Sequence, residues 1–106
     1  MVKIKIRENS WIARIAAYRL KCSSVAMVLG KTIHLHNCTK KDFLDNKTWV
    51  RHELAHIKQY MELGFLGFLR SYIIESIKKG YQNNRFEVEA RLNERDMSIL
   101  LEVVFV

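Results

Sequence analysis

His52 and His56 are separated by three residues in the run Val50-Arg51-His52-Glu53-Leu54-Ala55-His56-Ile57. On a helix, residues four apart stand one turn apart on one face, so both imidazoles can converge on a single ion. Glu53 follows the first histidine, which puts a carboxylate beside that ion without making it a ligand. A general base working on metal-activated water must stand there. Val50, Leu54, Ile57 and Met61 recur at helical spacing and are expected to anchor the helix, with the histidines on a neighbouring face. The chemistry this spacing suits is zinc-dependent hydrolysis, with Zn2+ as the cofactor.

A catalytic zinc normally takes three protein ligands. Glu87 and Glu89, in Asn84-Arg85-Phe86-Glu87-Val88-Glu89-Ala90-Arg91, are the candidates for the third. They point about 200° apart around a helix, so only one can serve. Glu87 is favoured because it shares a face with Ala90, Arg91 and Glu94, and a small Ala90 allows close approach to the histidine helix. Val88 and Leu92 are expected to add an adjacent apolar contact. The plainer alternative is that both carboxylates merely complement a helix N-terminus. A rival metal site would use His34, His36 and Cys38 on one face of a strand, with Cys22. Three such residues span about 13 Å, which disfavours a shared ion. Tyr81, Tyr72, His34 and His36 are candidate donors to a developing oxyanion, each with a packing or surface role as the alternative.

HELAHIKQ at 52–59 followed by NRFEVEARLNE at 84–94 resembles the gluzincin metallopeptidase superfamily. Within it, the segments look most like small bacterial domains that carry HELxHxxQ and then N-x-(F/Y)-E-x-E-A. The match runs from Trp49 to Glu94, somewhat under half of the chain. The resemblance implies a zincin-like fold, with a small sheet before the active-site helix and a downstream glutamate as third ligand. It also implies that His52 and His56 bind zinc, that Glu53 is the base and that Glu87 is the glutamate of the ExxA pattern. That pattern commonly continues with Asp or Asn, which supports a ligating histidine. Here Arg91 follows, and a guanidinium cannot accept an N–H. The acceptor must then be a backbone carbonyl, Glu94 or another group. By the same resemblance a peptide substrate lies along an edge strand, a role expected of Thr32–His36.

The elements that must position these residues read as α+β. Val2, Ile4 and Ile6 alternate with basic residues as a strand. Ser10 caps a helix from Trp11 to about Lys21, with periodic faces at Ile12, Ile15, Ala16 and Arg19 and at Trp11, Ile15 and Tyr18. Two short β-rich runs, 25–29 and 32–36, flank Gly30-Lys31 as a hairpin. One helical turn is expected around Asp42-Phe43-Leu44. The active-site helix, capped by Asn46 or Thr48, should end at Leu63-Gly64. Gly64 to Lys79 reads as another helix or a helical connection, ended by Lys78-Lys79-Gly80, and the glutamate-bearing helix runs from Arg85, capped by Asn84, to about Asp96. The apolar tail, Ser98 to Val106, reads as a terminal strand, a helix end or a surface that another molecule covers.

At 106 residues the chain fits one domain, 1–106. It has no proline and carries a net charge of +7. The charge is uneven: residues 1–60 hold 12 Lys/Arg against 4 Asp/Glu, while residues 61–106 hold 6 against 7. A basic half can favour an anionic partner, yet the charges are scattered and no nucleic-acid motif accompanies them, so no nucleic acid is expected. Two cysteines are too few for a disulfide scaffold. With no signal-peptide pattern and no apolar run of membrane-spanning length, a cytoplasmic setting is expected. The reading is a zinc metallopeptidase acting on peptide or protein substrates. The alternative is a non-catalytic zincin-fold protein that binds a partner, or a second copy, through its hydrophobic C-terminus or basic half.

Overall fold

A computed structural model describes residues 2–96 and 103–106. In chain order the elements are β1 (Val2–Arg7), α1 (Trp11–Leu20), β2 (Val25–Leu29), β3 (Thr32–His36), α2 (Lys40–Asp45), α3 (Lys47–Leu63), α4 (Phe65–Lys79), α5 (Arg85–Asn93) and β4 (Val103–Phe105). This is the expected α+β arrangement, with an N-terminal helix and sheet followed by the histidine helix and a glutamate-bearing helix.

The four strands lie in the order β2-β3-β1-β4. β2 and β3 form an antiparallel hairpin in which Leu29 faces Thr32 across a two-residue turn. Gly30, first in that turn, has φ 65°, a conformation that favours glycine. β1 runs parallel to β3 on one side and to β4 on the other. The end of the apolar tail is therefore a terminal strand, with Val103 and Phe105 packed toward the core. The rest of the tail, 98–102, lies outside the described residues. The pairing corrects one expectation: Thr32–His36 is bonded on both sides, so among the described residues the strand at the edge of this half of the sheet is β2.

Ile4, Ile33 and Leu35 from the sheet meet Phe43 of α2 and Val50, Leu54 and Ile57 of α3, all almost fully buried. α3 is the central helix, enclosed on several sides. Its anchoring stripe holds through Ile57 and then turns: Met61 is 52% exposed, and Tyr60 is buried in its place. The cause is the α3–α4 corner. α4 folds back along α3, bringing Phe65 and Phe68 to within 5.5 and 4.3 Å of the Tyr60 ring centroid. The Tyr60 hydroxyl donates to the Val28 carbonyl at 3.2 Å, tying this corner to β2.

That corner rests on one residue. Gly64 alone separates the two helices, at φ 78° and ψ 161°, a region essentially restricted to glycine. α5 docks against α3 through Phe86 and the fully buried Ala90; Val88 and Leu92, expected at this contact, are exposed. The phase of the short helix is set by Asn84, which is itself fully buried. Its side chain accepts from Phe86 N at 2.8 Å and donates to the Tyr72 carbonyl and Ser76 Oγ at 3.0 and 2.9 Å. One amide thus caps α5 and binds it to α4.

Two glycines separate backbone strain from packing. A Cβ at Gly64 would meet nothing within 4 Å, so Gly64→Ala isolates the φ/ψ cost. We expect it to destabilise by ~1–3 kcal/mol. Gly67, inside α4 with ordinary φ and its nearest neighbour at 3.9 Å, should be stabilised by alanine by up to ~1 kcal/mol. Urea unfolding of the two variants checks this, and equal shifts of the same sign would contradict the assignment of the corner.

Candidate metal centre

α3 carries His52, Glu53 and His56 past the buried end of α5. Burial of these groups is tolerable only with partners, and each histidine has two. His52 Nε2 lies 3.0 Å from Glu87 Oε1, and His56 Nε2 lies 3.2 Å from Glu87 Oε2. The opposite ring nitrogens are also held: His52 Nδ1 donates to Glu94 Oε2 at 2.7 Å, and His56 Nδ1 donates to Gln59 Oε1 at 2.8 Å. The Gln59 amide is oriented in turn, since its Nε2 donates to the Phe86 carbonyl and to Glu89 Oε1 at 3.1 and 3.0 Å. An amide whose NH2 is engaged in this way presents its oxygen to His56, and the imidazole must supply the proton. Both Nε2 atoms are thereby aimed at the same place.

Glu94 is the acceptor that Arg91 could not be. Arg91 turns away and donates to the Gln82 carbonyl. Arg51 adds a donor to the Glu94 carbonyl, holding the end of α5 against α3. Glu89 is exposed and bonded to Gln59, whereas Glu87 is buried between the imidazoles. Tyr72 completes the surround by donating its hydroxyl to Glu87 Oε2.

His52, His56 and Glu87 are the group of metal-binding side chains that converges among the described residues, with ligand atoms within 4.8 Å of one another. The 3.0 and 3.2 Å separations are close to the ~3.3 Å edge of a tetrahedron whose corners stand ~2.0 Å from its centre. Two neutral imidazoles and a carboxylate, with a side left for solvent, is the donor chemistry of a catalytic zinc site rather than a structural one. The residues fit the ion. The rival constellation is not assembled: His34 is buried and bonded through Nδ1 to Ser10 Oγ at 2.8 Å, and Cys22 is exposed at the far end of α1.

The electrostatics of the metal-free cluster follow from this packing. Burial alone would lower the pKa of His52, but Glu87, Glu53 and Glu94 outweigh it and raise it to about 9. Burial opposes the charged form of His56 in the same way, and Glu87 and Glu53 again raise it. Burial pushes Glu87 up, yet the two histidine bonds and Tyr72 hold it well below the usual carboxylate range. Glu53 differs. The bonds that fix the histidines and Glu87 do not involve it, and burial raises it to about 7 against the opposing pull of His56 and His52. It lines a cavity of about 570 Å³ between β2 and α4, together with His56, Tyr72, Tyr81 and Glu87.

Comparison with protein-family models, curated proteins and solved structures finds no match to this chain. The geometry is what speaks. The cluster matches a gluzincin-type zinc site. The helix-borne HExxH pair and a glutamate from a later helix sit together, with a buried Glu53 beside them, an arrangement that supports zinc-activated hydrolysis.

Three contributors escaped the sequence. Gln59 stands in the HELxHxxQ segment, at the i+3 position where a helix side chain reaches His56. Tyr72 was a candidate oxyanion donor, and its hydroxyl is committed to Glu87 instead. Asn84 was expected as a cap alone. The signal for Gln59 was present as spacing; Tyr72 and Asn84 depend on how α4 packs and left none.

Two outcomes follow. Glu94→Ala and Gln59→Ala should each weaken zinc binding roughly 10–100-fold, by leaving an imidazole unheld; competition with a chromophoric chelator measures it, and unchanged affinity would remove these side chains from the site. The second concerns pH. In metal-free protein, the His52 value of about 9 against an ordinary 6.5 gives stability that is complete below 6.5 and lost as pH rises through 9. Glu53, raised from 4.5 to about 7, adds a loss in the same direction. Zinc needs unprotonated imidazoles, so its stabilisation grows with pH. The gap between Tm with zinc and Tm in chelator should widen from pH 6.5 to 9; a constant gap would mean that zinc displaces no proton from these histidines.

Proposed function

We propose that this chain, as a single domain of residues 1–106, is a zinc metallopeptidase. His52, His56 and Glu87 would hold the ion, and Glu53 would act as general base. The observation that carries the reading is the convergence of both Nε2 atoms on Glu87, with each Nδ1 secured from behind, next to a buried carboxylate that opens on a cavity.

Zinc held by this set would supply Lewis acidity toward a water molecule and a peptide carbonyl. The protein's own part is proton handling and orientation. Glu53, with an affinity for protons tuned near neutrality by burial, can take a proton from the attacking water and pass it to the departing amine. Water adds to the carbonyl carbon, the C–N bond breaks, and the amine leaves protonated. Tyr72 is held by Glu87 and serves to position it. Tyr81 lines the cavity alongside Glu53, its hydroxyl also within reach of Glu87, and is the donor we assign to the developing oxyanion. The outer edge of β2 borders the same cavity and would pair with an extended peptide.

No observation favours a binding-only role for the site. A contact with a partner or second copy through the C-terminal segment would be additional, using the outer edge of β4 and the outward Val104. No helix among the described residues is long and apolar enough to cross a membrane. We infer a cytoplasmic setting, supported by two free cysteines, Cys22 and Cys38.

The test is hydrolysis of a mixed peptide library by zinc-loaded protein. Glu53→Gln should retain one zinc and lose turnover by at least ~100-fold, and Tyr81→Phe should retain zinc and lower kcat by ~10–1000-fold with little change in KM. His56→Ala should lose the metal itself. Full turnover in Glu53→Gln, or zinc retained in His56→Ala, would overturn the assignment.

A further inference from the structure

α1 is packed inside out. It buries only Ala13 and Ala17 against the sheet, and the expected faces built on its larger side chains are not the buried ones. Trp11, Ile15 and Tyr18 are 68%, 55% and 84% exposed. At spacings of four and three residues they form one continuous face, turned away from the two alanines. Residues 11–21 contain Arg14, Arg19 and Lys21 and no acidic residue. α4 repeats the pattern. It buries only Phe68, while Leu66, Ile73 and Ile77 form an outward stripe, with Ile77 79% exposed. Its charges are Arg70, Lys78 and Lys79 against Glu75, and Glu75 is already engaged by Lys79 at 3.5 Å and by Arg85 N at 3.1 Å. The two helices border the same cavity, through Leu20 of α1 and through Leu69 and Ile73 of α4.

Exposed apolar stripes whose flanking charges are mainly cationic, with Glu75 already engaged, favour an anionic partner. A second copy is a poor one: a symmetric contact would set Arg14, Arg19 and Lys21 against their own images, on a chain already carrying +7. A bilayer surface supplies both requirements. Its acyl boundary accepts Leu and Ile, its headgroup layer accepts the amphipathic rings of Trp and Tyr, and anionic lipids attract the flanking Arg and Lys. A fluid surface also accommodates two helices that do not form one rigid groove.

We propose that α1 and α4 dock this protein peripherally on membranes containing anionic lipid, through Trp11, Ile15, Tyr18, Leu66, Ile73 and Ile77. Because the same helices border the cavity, docking places the mouth of the His52–Glu53–His56 site at the lipid surface. The proposal rests on the outward faces and not on the metal site, so it stands or falls separately from hydrolysis.

The experiment uses the full chain with Trp49→Phe, which leaves an aromatic ring against Phe43 and makes Trp11 the sole indole. Vesicles of phosphatidylcholine alone and with about a third phosphatidylglycerol are followed by co-sedimentation and Trp11 emission. We expect partition onto the anionic vesicles with a blue shift, and roughly tenfold or weaker partition on phosphatidylcholine alone or at high salt. Trp11→Gln with Tyr18→Gln, read by sedimentation, and Leu66→Gln with Ile77→Gln should each reduce partition by about tenfold or more. These side chains are exposed, so zinc content and Tm should not change. Absence of partition on anionic vesicles overturns the proposal, as does partition that neither double variant reduces, which would be charge attraction alone. A blue-shifted Trp11 in a dimeric protein without lipid would assign the face to a second copy and also overturn it.

Discussion

Two imidazoles and two carboxylates lie within a few ångströms of one another in the interior of a 106-residue chain. Isolated, any of their charges would be costly to remove from water; here Glu87 and the two imidazoles satisfy one another, while buried Glu53 holds its proton more tightly than a solvated carboxyl does. Glu87 is the centre of this compensation. It meets both Nε2 atoms and accepts from Tyr72, and burial makes every one of those bonds matter more than it would in solvent. The same arrangement that neutralises the metal-free protein sets out the donors for a metal, so folding and ligand-site assembly are one problem here.

Much of the tertiary structure can be understood as holding α5 in phase with α3. Ala90 lets the helices approach, Asn84 fixes where α5 begins, and Gln59 reaches the Phe86 carbonyl from α3. Arg51 and Glu94 close the other end. Glu87 and Glu94 are seven residues apart and so project from one face, which brings one to the Nε2 side of His52 and the other to its Nδ1 side. α4, folded back by Gly64, contributes Tyr72 and closes the aromatic cluster of Tyr60, Phe68 and Phe86 over the site. Against this framework Glu53 stands apart: it is buried without sharing the bonds that immobilise its neighbours. It keeps an elevated proton affinity, as a base that must cycle through both protonation states requires.

The core formed by the described residues is small. The sheet and α3 use most of the available core, and α1 and α4 are left presenting large apolar residues outward. A cavity lined mainly by apolar side chains runs between them to Glu53 and His56. Both helices contribute side chains to the cavity lining, Leu20 from α1 and Leu69 and Ile73 from α4.

The sequence alone determined the parts that depend on short-range geometry. HExxH spacing on an amphipathic helix places two imidazoles on one face by helix periodicity. Cap and stop signals, Asn46 or Thr48 at the start and Gly64 at the end, bounded α3 because they act within a turn, and the ~200° divergence of Glu87 and Glu89 meant that only one could face inward. The tertiary structure decided whatever depended on contacts between distant segments. That Glu94 and Gln59 hold the two histidines, and that Tyr72 serves Glu87, follows from how α3, α4 and α5 pack. β3 lies inside the sheet because β1 pairs with it, Lys5 with Thr32 and Arg7 with His34, a pairing between distant segments that alternation within either strand does not encode. Burial of the alanines of α1 in place of its aromatic residues was hidden for the same reason. Periodicity shows that a helix has faces, and only the neighbouring surface selects which of them is covered.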